Sequence, residues 1–313
     1  MTFAVLLILL FILLFLTGLY CLYRFTFGFV PKNRPDVRQI PESNLYREHR
    51  EKMLKSIDDM EATPWEKVSI VSYDGYKLYG RYYNIKKDAP LVICFHGYHG
   101  TFAWDGYGFF NVCRNNGMNI LMVDQRSHGT SEGNIITFGI RERYDCKSWT
   151  EYAVERFGND SVIYLAGVSM GAATVMMATE LGLPSNVKAV ISECGFSEPV
   201  TIIKETIRHM NYPVKPIFFL INLGARIFGH VNLKETNAIN AVKKTDIPIL
   251  FIHGKQDSVV PIYMGEELYE NCIGIKELLV VEEADHANNA LVDYEAYEKI
   301  IMGFLERVKN TNS

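Results

Sequence analysis

Short apolar runs that alternate with longer helix-like stretches constrain this fold more than any other feature of the sequence. The runs are Leu91–Phe95, Ile120–Val123, Val162–Ala166, Val187–Ser192, Ile249–Ile252 and Leu278–Val281. Helical spacing occurs near Trp104–Asn115, Glu142–Phe157, Ala172–Leu181, Pro261–Cys272 and Val292–Val308. Short runs that are apolar throughout are typical of strands buried on both faces. The alternation therefore predicts an α/β domain with a mostly parallel central sheet and helices on both faces.

Two segments depart from this alternation. Residues 66–82 have the pattern of a β-hairpin that turns at Asp74-Gly75. Between Ser192 and Ile249 no strand pattern occurs, although this stretch is rich in large apolar side chains. We therefore predict that residues 66–313 form one domain and that residues 197–246 are a helical cap inserted into it.

Size and charge favour a globular enzyme over a nucleic-acid-binding protein. The chain has 313 residues, of which 48% are hydrophobic and 22% charged, and this suits one large α/β domain with an insertion. The net charge of −4 leaves no basic footprint for nucleic acid. The 18 Tyr and 18 Phe are spread over the whole chain, which favours core and pocket lining over base stacking.

The six cysteines are predicted to be free, buried thiols. No two of them have the Cys-x-x-Cys spacing of a zinc site or a thioredoxin-like motif. Free thiols of this kind are typical of a reducing compartment. The sequence implies no metal and no organic cofactor, and it leaves the oligomeric state open.

The N-terminal segment has the composition of a membrane anchor. From Met1 to Tyr23 there is no charged side chain, and a membrane-spanning helix needs about 20 apolar residues. A cleaved signal peptide would have a basic start, a shorter apolar core and small residues at its cleavage site, and none of these features is present. We predict an uncleaved, single-pass transmembrane anchor over residues 1–24.

Residues 25–65 are predicted to connect this anchor to the domain. Four basic residues follow the apolar stretch, namely Arg24, Lys32, Arg34 and Arg38. Because no Lys or Arg precedes it, the positive-inside rule places the domain on the cytoplasmic side. The connection begins as a short stiff linker whose prolines are Pro31, Pro35 and Pro41. Residues 42–61 then have the spacing of an amphipathic helix that lies on the domain or on the membrane surface.

One pentapeptide has the pattern of a catalytic serine. The sequence Gly167-Val168-Ser169-Met170-Gly171 follows a predicted strand and precedes a helix-forming stretch. A strand, a Gly-x-Ser-x-Gly turn and a helix in this order form a nucleophile elbow. Its glycines allow close backbone packing, and the helix N-terminus favours developing negative charge. Ser169 is therefore the candidate nucleophile, and the alternative is a structural glycine-rich turn.

An elbow serine needs an acid and a histidine after it in the chain. Asp257 follows the apolar run Ile249–Ile252, and His286 follows the run Leu278–Val281. Both positions lie just past the carboxyl ends of predicted strands, where the sites of open α/β sheets form. We predict that His286 takes the proton from Ser169 and that Asp257 orients the imidazole.

Other acids and histidines fit these roles less well. Glu193, which follows a predicted strand, is the best alternative acid. Asp285 adjoins His286 and is poorly placed to hold the ring of its own neighbour. Asp124, two residues before Arg126, is more typical of a salt bridge that braces a loop. The histidines that fit surface or structural positions better are His49, His209, His230 and His253.

Two backbone N–H groups are expected to form the oxyanion hole. One belongs to Met170, the residue after the nucleophile. The other comes from the loop after Leu91–Phe95, where Tyr98 is the candidate. His96 in the same loop is predicted to shape the loop rather than to act as the base. A simple glycine turn is the alternative.

With these residues assembled, the chain resembles the α/β-hydrolase superfamily, and within it the serine aminopeptidase-like and Bem46-like branches. Residues 124–133 are similar to the DxRxxGxSxG loop of these proteins. The Glu142-Arg143 pair, Asp145 and the HGxxD motif that ends at Asp257 also match. The resemblance covers roughly residues 66–308. It implies a triad of Ser169, Asp257 and His286 with Tyr98 and Met170 as oxyanion donors.

These observations predict a serine hydrolase that cleaves a carboxylic ester through an acyl-enzyme. The apolar content of the cap suggests an acyl or lipid-like small-molecule substrate, or it serves only to pack the cap onto the sheet. The side chains concerned are Ile202, Ile203, Ile207, Met210, Phe218, Phe219 and Leu220.

Two other functions stay open. A peptidase, amidase or thioesterase would use the same triad, although the few acids in the cap, such as Glu198 and Glu205, slightly favour esters. A non-catalytic binding protein with this fold usually lacks the nucleophile or the histidine, and both residues are present here. Reaction of the serine with a fluorophosphonate separates an active site from a dead one.

Overall fold

The central sheet of the computed structural model, which describes residues 2–28, 37–40 and 44–311, has eight strands within those ranges. The strands are β1 (Glu66–Val71), β2 (Lys77–Tyr83), β3 (Leu91–Phe95), β4 (Asn119–Asp124), β5 (Ile163–Val168), β6 (Val187–Glu193), β7 (Ile249–Gly254) and β8 (Lys276–Val281). Their spatial order is β1-β2-β4-β3-β5-β6-β7-β8. The predicted hairpin β1–β2 is antiparallel and β2 pairs antiparallel with β4, whereas the other neighbours are parallel. The predicted mostly parallel sheet is confirmed.

Helices cover both faces of this sheet. They are α1 (Thr2–Phe27), α2 (Asn44–Arg47), α3 (Arg50–Ala62), α4 (Phe102–Asn115), α5 (Glu142–Phe157), α6 (Met170–Ala178), α7 (Pro199–His209), α8 (Val214–Phe228), α9 (Ala238–Val242), α10 (Ile262–Asn271), α11 (Asn289–Val292) and α12 (Tyr294–Thr311). Two large apolar clusters result. One joins the sheet to α5, α6 and the helices between β6 and β7, and the other joins it to α3, α4 and α12. Such double coverage explains why the central strands are apolar throughout.

Helix α3 lies on the domain. Its apolar stripe, Met53, Ile57 and Met60, is fully buried in the cluster that includes α4. Asn111 of α4 also donates a hydrogen bond to Ser56 Oγ at 3.0 Å. The amphipathic spacing of residues 42–61 therefore corresponds to a helix face that packs on the domain. The prolines of the predicted linker lie outside the described residues.

Helix α1 is the one helix among the described residues that is long and apolar enough to cross a membrane, by length and composition. It extends to Phe27, beyond the predicted boundary at residue 24. The apolar side chains from Val5 to Leu16 are exposed, whereas Leu19, Tyr23 and Phe27 are buried. An exposed apolar helix of this kind suggests membrane association.

The buried end of α1 packs on α8. Leu19 and Tyr23 lie against Gly224, where an added Cβ would approach Tyr23 Cβ to 3.0 Å. The ring of Phe228 contacts the ring of Tyr23 at a centroid distance of 5.6 Å. Further along, the Ile136 N–H donates a hydrogen bond to the Phe27 carbonyl at 2.9 Å. The end of α1 is therefore joined to the domain by packing and by backbone hydrogen bonds.

The prediction of buried thiols is correct for five cysteines and wrong for one. Cys94, Cys113, Cys146, Cys194 and Cys272 are free and buried. Cys21 is free but exposed, because it lies on the outer side of α1, away from α8.

Arg126 braces the loop of residues 124–133. Its carboxylate partners are Asp145 and Asp74, which no sequence pattern paired with it. Its Nε and Nη2 donate to the two carboxylate oxygens of Asp145 at 2.6 Å each. Its Nη1 also donates to Asp74 at 2.9 Å. The guanidinium is only 2% exposed, so the loop is fastened to α5 and to the β1–β2 turn by a buried ion pair.

We expect Arg126→Met to lower the free energy of unfolding by about 3–5 kcal/mol, because it leaves the Asp145 carboxylate buried and uncompensated. Urea unfolding of the full chain in detergent measures this loss. The matched control is Arg38→Met, which removes an exposed pair with Asp58 and should cost about 1 kcal/mol or less. Equal effects of the two substitutions would contradict the structural role of Arg126.

Candidate active site

Ser169 lies on a strained turn between β5 and α6. Its φ of 55° and ψ of −114° are rarely adopted by a residue with a side chain. Its backbone N–H donates to the Glu193 carbonyl at 2.8 Å, which ties the turn to the neighbouring strand β6. Two glycines make the turn possible. A Cβ on Gly167 would lie 2.3 Å from the Gly171 carbonyl carbon, and a Cβ on Gly171 would lie 2.0 Å from the Phe95 carbonyl oxygen.

Asp257 and His286 meet at the carboxyl edge of the sheet. Asp257 follows β7, His286 follows β8, and His286 Nδ1 lies 2.8 Å from Asp257 Oδ2. The other carboxylate oxygen of Asp257 accepts backbone hydrogen bonds from Val259 at 2.9 Å and Val260 at 2.7 Å. Both side chains are buried. The carboxylate is thus held from one side by its own loop and presents its other oxygen, Oδ2, to the imidazole.

The electrostatics of this pair favour a charged carboxylate and a basic imidazole. Burial raises the pKa of Asp257, but the charge of His286 and hydrogen bonds from His253 and His286 outweigh it and hold the pKa well below its ordinary value. Burial lowers the pKa of His286, but the charge and hydrogen bond of Asp257 outweigh it, and the pKa lies above 6.5. His286 therefore has the properties of a general base oriented by a carboxylate.

Ser169 is close to this edge but is not hydrogen-bonded to the histidine. Among the described residues, no hydrogen bond joins Ser169 Oγ to His286, and the serine is only partly exposed. In hydrolases without substrate such contacts are often long and tighten when substrate binds. Asp257 and His286 are therefore joined by a direct hydrogen bond. Ser169 is at the same edge of the sheet only because β5, like β7 and β8, ends there.

The candidate oxyanion donors are backbone N–H groups without an acceptor in the described part of the chain. The Met170 N–H is at the first position of α6, where a helix leaves its donors unpaired. The Tyr98 N–H belongs to the loop after β3, and this loop lies against the serine, since a Cβ on Gly97 would lie 3.2 Å from Ser169 Cβ. A negatively charged oxygen above Ser169 would satisfy donors of this kind.

Asp105 holds this loop, a role that no sequence pattern predicted. The Gly97 N–H donates to Asp105 Oδ2 at 2.7 Å, and both residues are buried. Asp105 is in the first turn of α4, after Thr101, whose hydroxyl caps the helix. A threonine followed by an acid in a predicted first helical turn was the available signal, but it indicates only a helix start. His96 shapes the same loop, since its Nε2 accepts from the Gln125 N–H at 3.1 Å.

The end of α1 reaches the oxyanion loop. The Tyr98 hydroxyl donates a hydrogen bond to the Thr26 carbonyl at 3.0 Å. The Tyr98 ring also stacks on Phe138 at 5.2 Å, and Phe138 contacts the Phe27 ring at 5.8 Å. The candidate site and the apolar N-terminal helix are therefore in direct contact, a connection that no local sequence pattern indicates.

The alternative acids have structural partners. Glu193 is fully buried and accepts hydrogen bonds from Asn289 and from the Tyr297 hydroxyl at 2.8 Å each. Asp285 Oδ1 accepts from the Ser258 N–H and hydroxyl at 2.8 Å, so it joins the β7 and β8 loops. Asp124 accepts from Thr130 inside its own loop at 3.0 Å.

His253 also has a structural partner. Its Nε2 lies 2.9 Å from the Val260 carbonyl and 3.4 Å from Asp257 Oδ2. The ring is 2% exposed, so it supports the Asp257 loop from the interior of the domain.

Cys194 completes a cluster of three potential metal ligands with Asp257 and His286, whose donor atoms lie within 4.8 Å of one another. Two of these donors already bind each other. Burial raises the pKa of the Cys194 thiol well above its ordinary value, whereas a metal requires the thiolate. The cluster therefore fits a hydrogen-bonded acid–histidine pair better than a metal centre.

A cavity of about 520 Å³ lies at the opposite edge of the sheet. It is lined by Leu91 and Asn119 at the amino ends of β3 and β4, and it contains none of the candidate catalytic residues. Ligands of open α/β sheets bind at the carboxyl ends of the strands, so the volume of this cavity is not a guide to the active site.

Comparison with known proteins agrees with this architecture. A sequence profile of the α/β hydrolase fold matches residues 90–214. The chain is 26% identical over 269 residues to the uncharacterized protein YqkD of Bacillus subtilis, covering 83% of this chain and 84% of that protein. It is 22% identical over 252 residues to the uncharacterized membrane protein YNL320W of Saccharomyces cerevisiae, covering 79% and 81%.

Some of the matched proteins carry functional names. The lysophosphatidylserine lipase ABHD12 of Danio rerio is 25% identical over 194 residues, which are 60% of this chain and 49% of that protein. The esterase Pf2001 of Pyrococcus furiosus superposes with a TM-score of 0.63 at 22% identity, covering 80% of this chain and 94% of that one.

The sheet order, the turn at Ser169 and the matching profile define the α/β-hydrolase fold. Within it, the relatives are consistent with the Bem46-like branch, as the loop of residues 124–133 indicated. The apolar helix α1 and the relation to a membrane protein suggest that this hydrolase is associated with a membrane.

We expect the acid limb of kcat/KM against pH to have its midpoint at a higher pH than an ordinary histidine would give. A general base works only when it is neutral, and the raised pKa of His286 means that it loses its proton at a higher pH than an ordinary histidine. In Asp257→Asn the main cause of the raised pKa is gone, so the midpoint should move to lower pH while kcat falls on the order of 10⁴-fold. A midpoint that does not move in the variant would contradict the assignment of Asp257.

We expect Tyr98→Phe to lower kcat about 5- to 10-fold with little change in KM, because one neutral hydrogen bond contributes about 1 kcal/mol. The lost bond to Thr26 would loosen the loop whose N–H is a candidate donor to the oxyanion in the transition state. Steady-state kinetics of the full chain measure both constants. Tyr294→Phe, which removes a surface hydroxyl bonded to Asn115, is the matched control and should leave both unchanged.

Proposed function

We propose that the protein is a membrane-anchored serine hydrolase that cleaves carboxylic esters of acyl or lipid-like molecules. Ser169 is the nucleophile, His286 the general base and Asp257 the residue that orients it. The backbone N–H groups of Tyr98 and Met170 stabilise the oxyanion. The observation that carries the proposal is the 2.8 Å contact between His286 Nδ1 and Asp257 Oδ2 at the same sheet edge as the Ser169 turn.

The reaction follows from these positions. His286 removes the proton of Ser169 Oγ as this oxygen attacks the ester carbonyl, and the carbonyl oxygen becomes an oxyanion that the two N–H groups bind. His286 then gives the proton to the leaving alcohol, and the C–O bond of the ester breaks. Water, deprotonated by the same histidine, attacks the carbonyl carbon of the acyl-enzyme. The bond between this carbon and Ser169 Oγ then breaks, His286 returns the proton to Oγ, and the carboxylic acid leaves.

The substrate class is argued from the cap and the anchor. Residues 197–246 contain α7, α8 and α9, and Ile202, Ile203 and Ile207 of α7 belong to the same apolar cluster as Met170. The inner side of the cap therefore adds hydrocarbon to the apolar cluster that covers this face of the sheet. A relative that is named a lysophosphatidylserine lipase and a fold neighbour that is named an esterase support an acyl ester as substrate.

The arrangement relative to the membrane is part of the proposal. Residues 1–24 form the spanning anchor, residues 25–65 connect it to the domain, and residues 66–313 are the catalytic domain. Arg24 and Arg38 follow the apolar stretch and no basic residue precedes it, so we propose that the catalytic domain faces the cytoplasm.

The test is hydrolysis of p-nitrophenyl esters from acetyl to palmitoyl by the full chain in detergent, beside Ser169→Ala. We expect the substitution to lower kcat on the order of 10⁶-fold, since the nucleophile is lost. The full chain is required because the end of α1 contacts the oxyanion loop. Ser148→Ala, a partly buried serine on α5, is the matched control and should retain full activity.

The outcomes separate the alternatives. A preference for long acyl chains supports a lipid-like substrate, whereas faster cleavage of p-nitroanilides than of the matching esters would favour a peptidase or amidase. If the wild type is inactive and a fluorophosphonate fails to label Ser169, the chain is a binding protein and the proposal is wrong.

A further inference from the structure

The outer face of α8 is apolar, in contrast to an ordinary surface helix. The inner face, Ile221, Gly224 and Ala225, is buried. The outer stripe includes Phe219 and Ile227, which are 63% and 45% exposed. A surface helix of a soluble domain normally turns polar side chains outward, whereas this helix exposes large apolar side chains as well as Lys215 and Arg226.

The turn before α8 extends this surface. Met210 and Tyr212, which connect α7 to α8, are 47% and 57% exposed. Together with Phe219 and Ile227 they form an outer surface of large apolar side chains on one hairpin. Exposed apolar patches of this kind mark sites of contact with a protein or a membrane.

Helix α1 indicates which contact this surface makes. The ring of Tyr20 on α1 meets the ring of Phe228 on α8 at 5.2 Å, and Leu19 and Tyr23 lie against Gly224. Because α8 packs directly on the buried end of α1, it lies next to the segment that suggests membrane association. A helix of 15 residues is about 22 Å long, long enough to lie along a bilayer surface.

The charge of the hairpin fits a lipid surface with anionic headgroups. Residues 199–228 contain four Lys or Arg side chains and one acid, whereas the whole chain has a net charge of −4. The acid, Glu205, is paired with Arg208. Lys215 and Arg226 are exposed near the two ends of α8, where long basic side chains can reach headgroups while the residues between them contact acyl chains.

We propose that the α7–α8 hairpin is a membrane-docking surface, whose occupant is the anionic headgroup layer of the bilayer that α1 enters. The proposal rests on the membrane-anchoring role proposed for α1 and adds a second contact with the lipid. The inner side of α7 belongs to the apolar cluster of Met170. The hairpin would thus connect the lipid surface to the apolar interior of the domain, and on the proposed function a lipid-like substrate enters from the bilayer.

The test is quenching of tryptophan emission by brominated lipid in vesicles that hold the full chain. Phe219→Trp reports on the hairpin and Leu13→Trp on α1. Ile273→Trp, which is 62% exposed before β8, matches the exposure of Phe219 away from the cap. Trp65, Trp104 and Trp149 give the same background in every variant. We expect quenching of the new emission in the first two variants and none in the third.

Each other outcome overturns the proposal in a recognisable way. Quenching at Leu13→Trp without quenching at Phe219→Trp means that α1 is inserted and the hairpin is not docked. Absence of quenching at both positions means that neither α1 nor the hairpin contacts lipid, so the anchor proposed for α1 is wrong as well. Emission at Phe219→Trp that is shielded from water but not quenched by bromine means that a protein covers the surface.

A second arm tests the charge. In vesicles with phosphatidylglycerol, Lys215→Glu in the Phe219→Trp background should weaken the docking equilibrium about fivefold or more, which follows from about 1 kcal/mol per basic side chain near an anionic surface. Lys299→Glu on α12 is the matched control and should have no effect. Equal quenching of the Phe219→Trp protein and of its Lys215→Glu and Lys299→Glu variants, in anionic as in neutral vesicles, would mean that the basic side chains do not contribute to docking. The choice of an anionic surface would then be wrong.

Discussion

The tight backbone turn at Ser169 is the constraint on which the arrangement of this protein depends. The turn is possible because Gly167 and Gly171 let β5 and α6 approach the neighbouring backbone to distances that exclude a Cβ. It sets the direction of α6, and the N-terminus of that helix leaves the Met170 N–H unpaired beside the serine. The energy of the strained φ is balanced by the surrounding structure, which includes the bond from the Ser169 N–H to β6.

Around this turn the sheet gathers groups from distant parts of the chain. Parallel strands end at the same edge, so the loops after β7 and β8 bring Asp257 and His286 together although 29 positions separate them. Burial alone would weaken such a pair by disfavouring its charges. The mutual attraction and the backbone donors to Asp257 reverse that effect, and the result is a carboxylate that stays charged beside an imidazole that is more basic than usual.

The apolar N-terminal helix is part of the same structure. Its last turns pack on α8, and the carbonyl of Thr26 accepts the hydroxyl of Tyr98 in the candidate oxyanion loop. A hydrolase that acts on lipid-like esters would benefit from this coupling, because the helix proposed to enter the bilayer also supports the candidate oxyanion loop and packs on α8. The anchor and the catalytic domain are therefore best studied as one unit.

The sheet, the main helices and the candidate site residues could be predicted from the amino-acid sequence, because these follow from local periodicity and from short motifs such as the Ser169 elbow. Other features depend on contacts between distant parts of the chain. The pairing of Arg126 with Asp145, the support of the oxyanion loop by Asp105, and the contact of α1 with α8 join residues that no local pattern relates. Likewise, the exposure of Cys21 and the burial of the α3 stripe depend on which faces the fold covers, and that is settled only when all helices have packed.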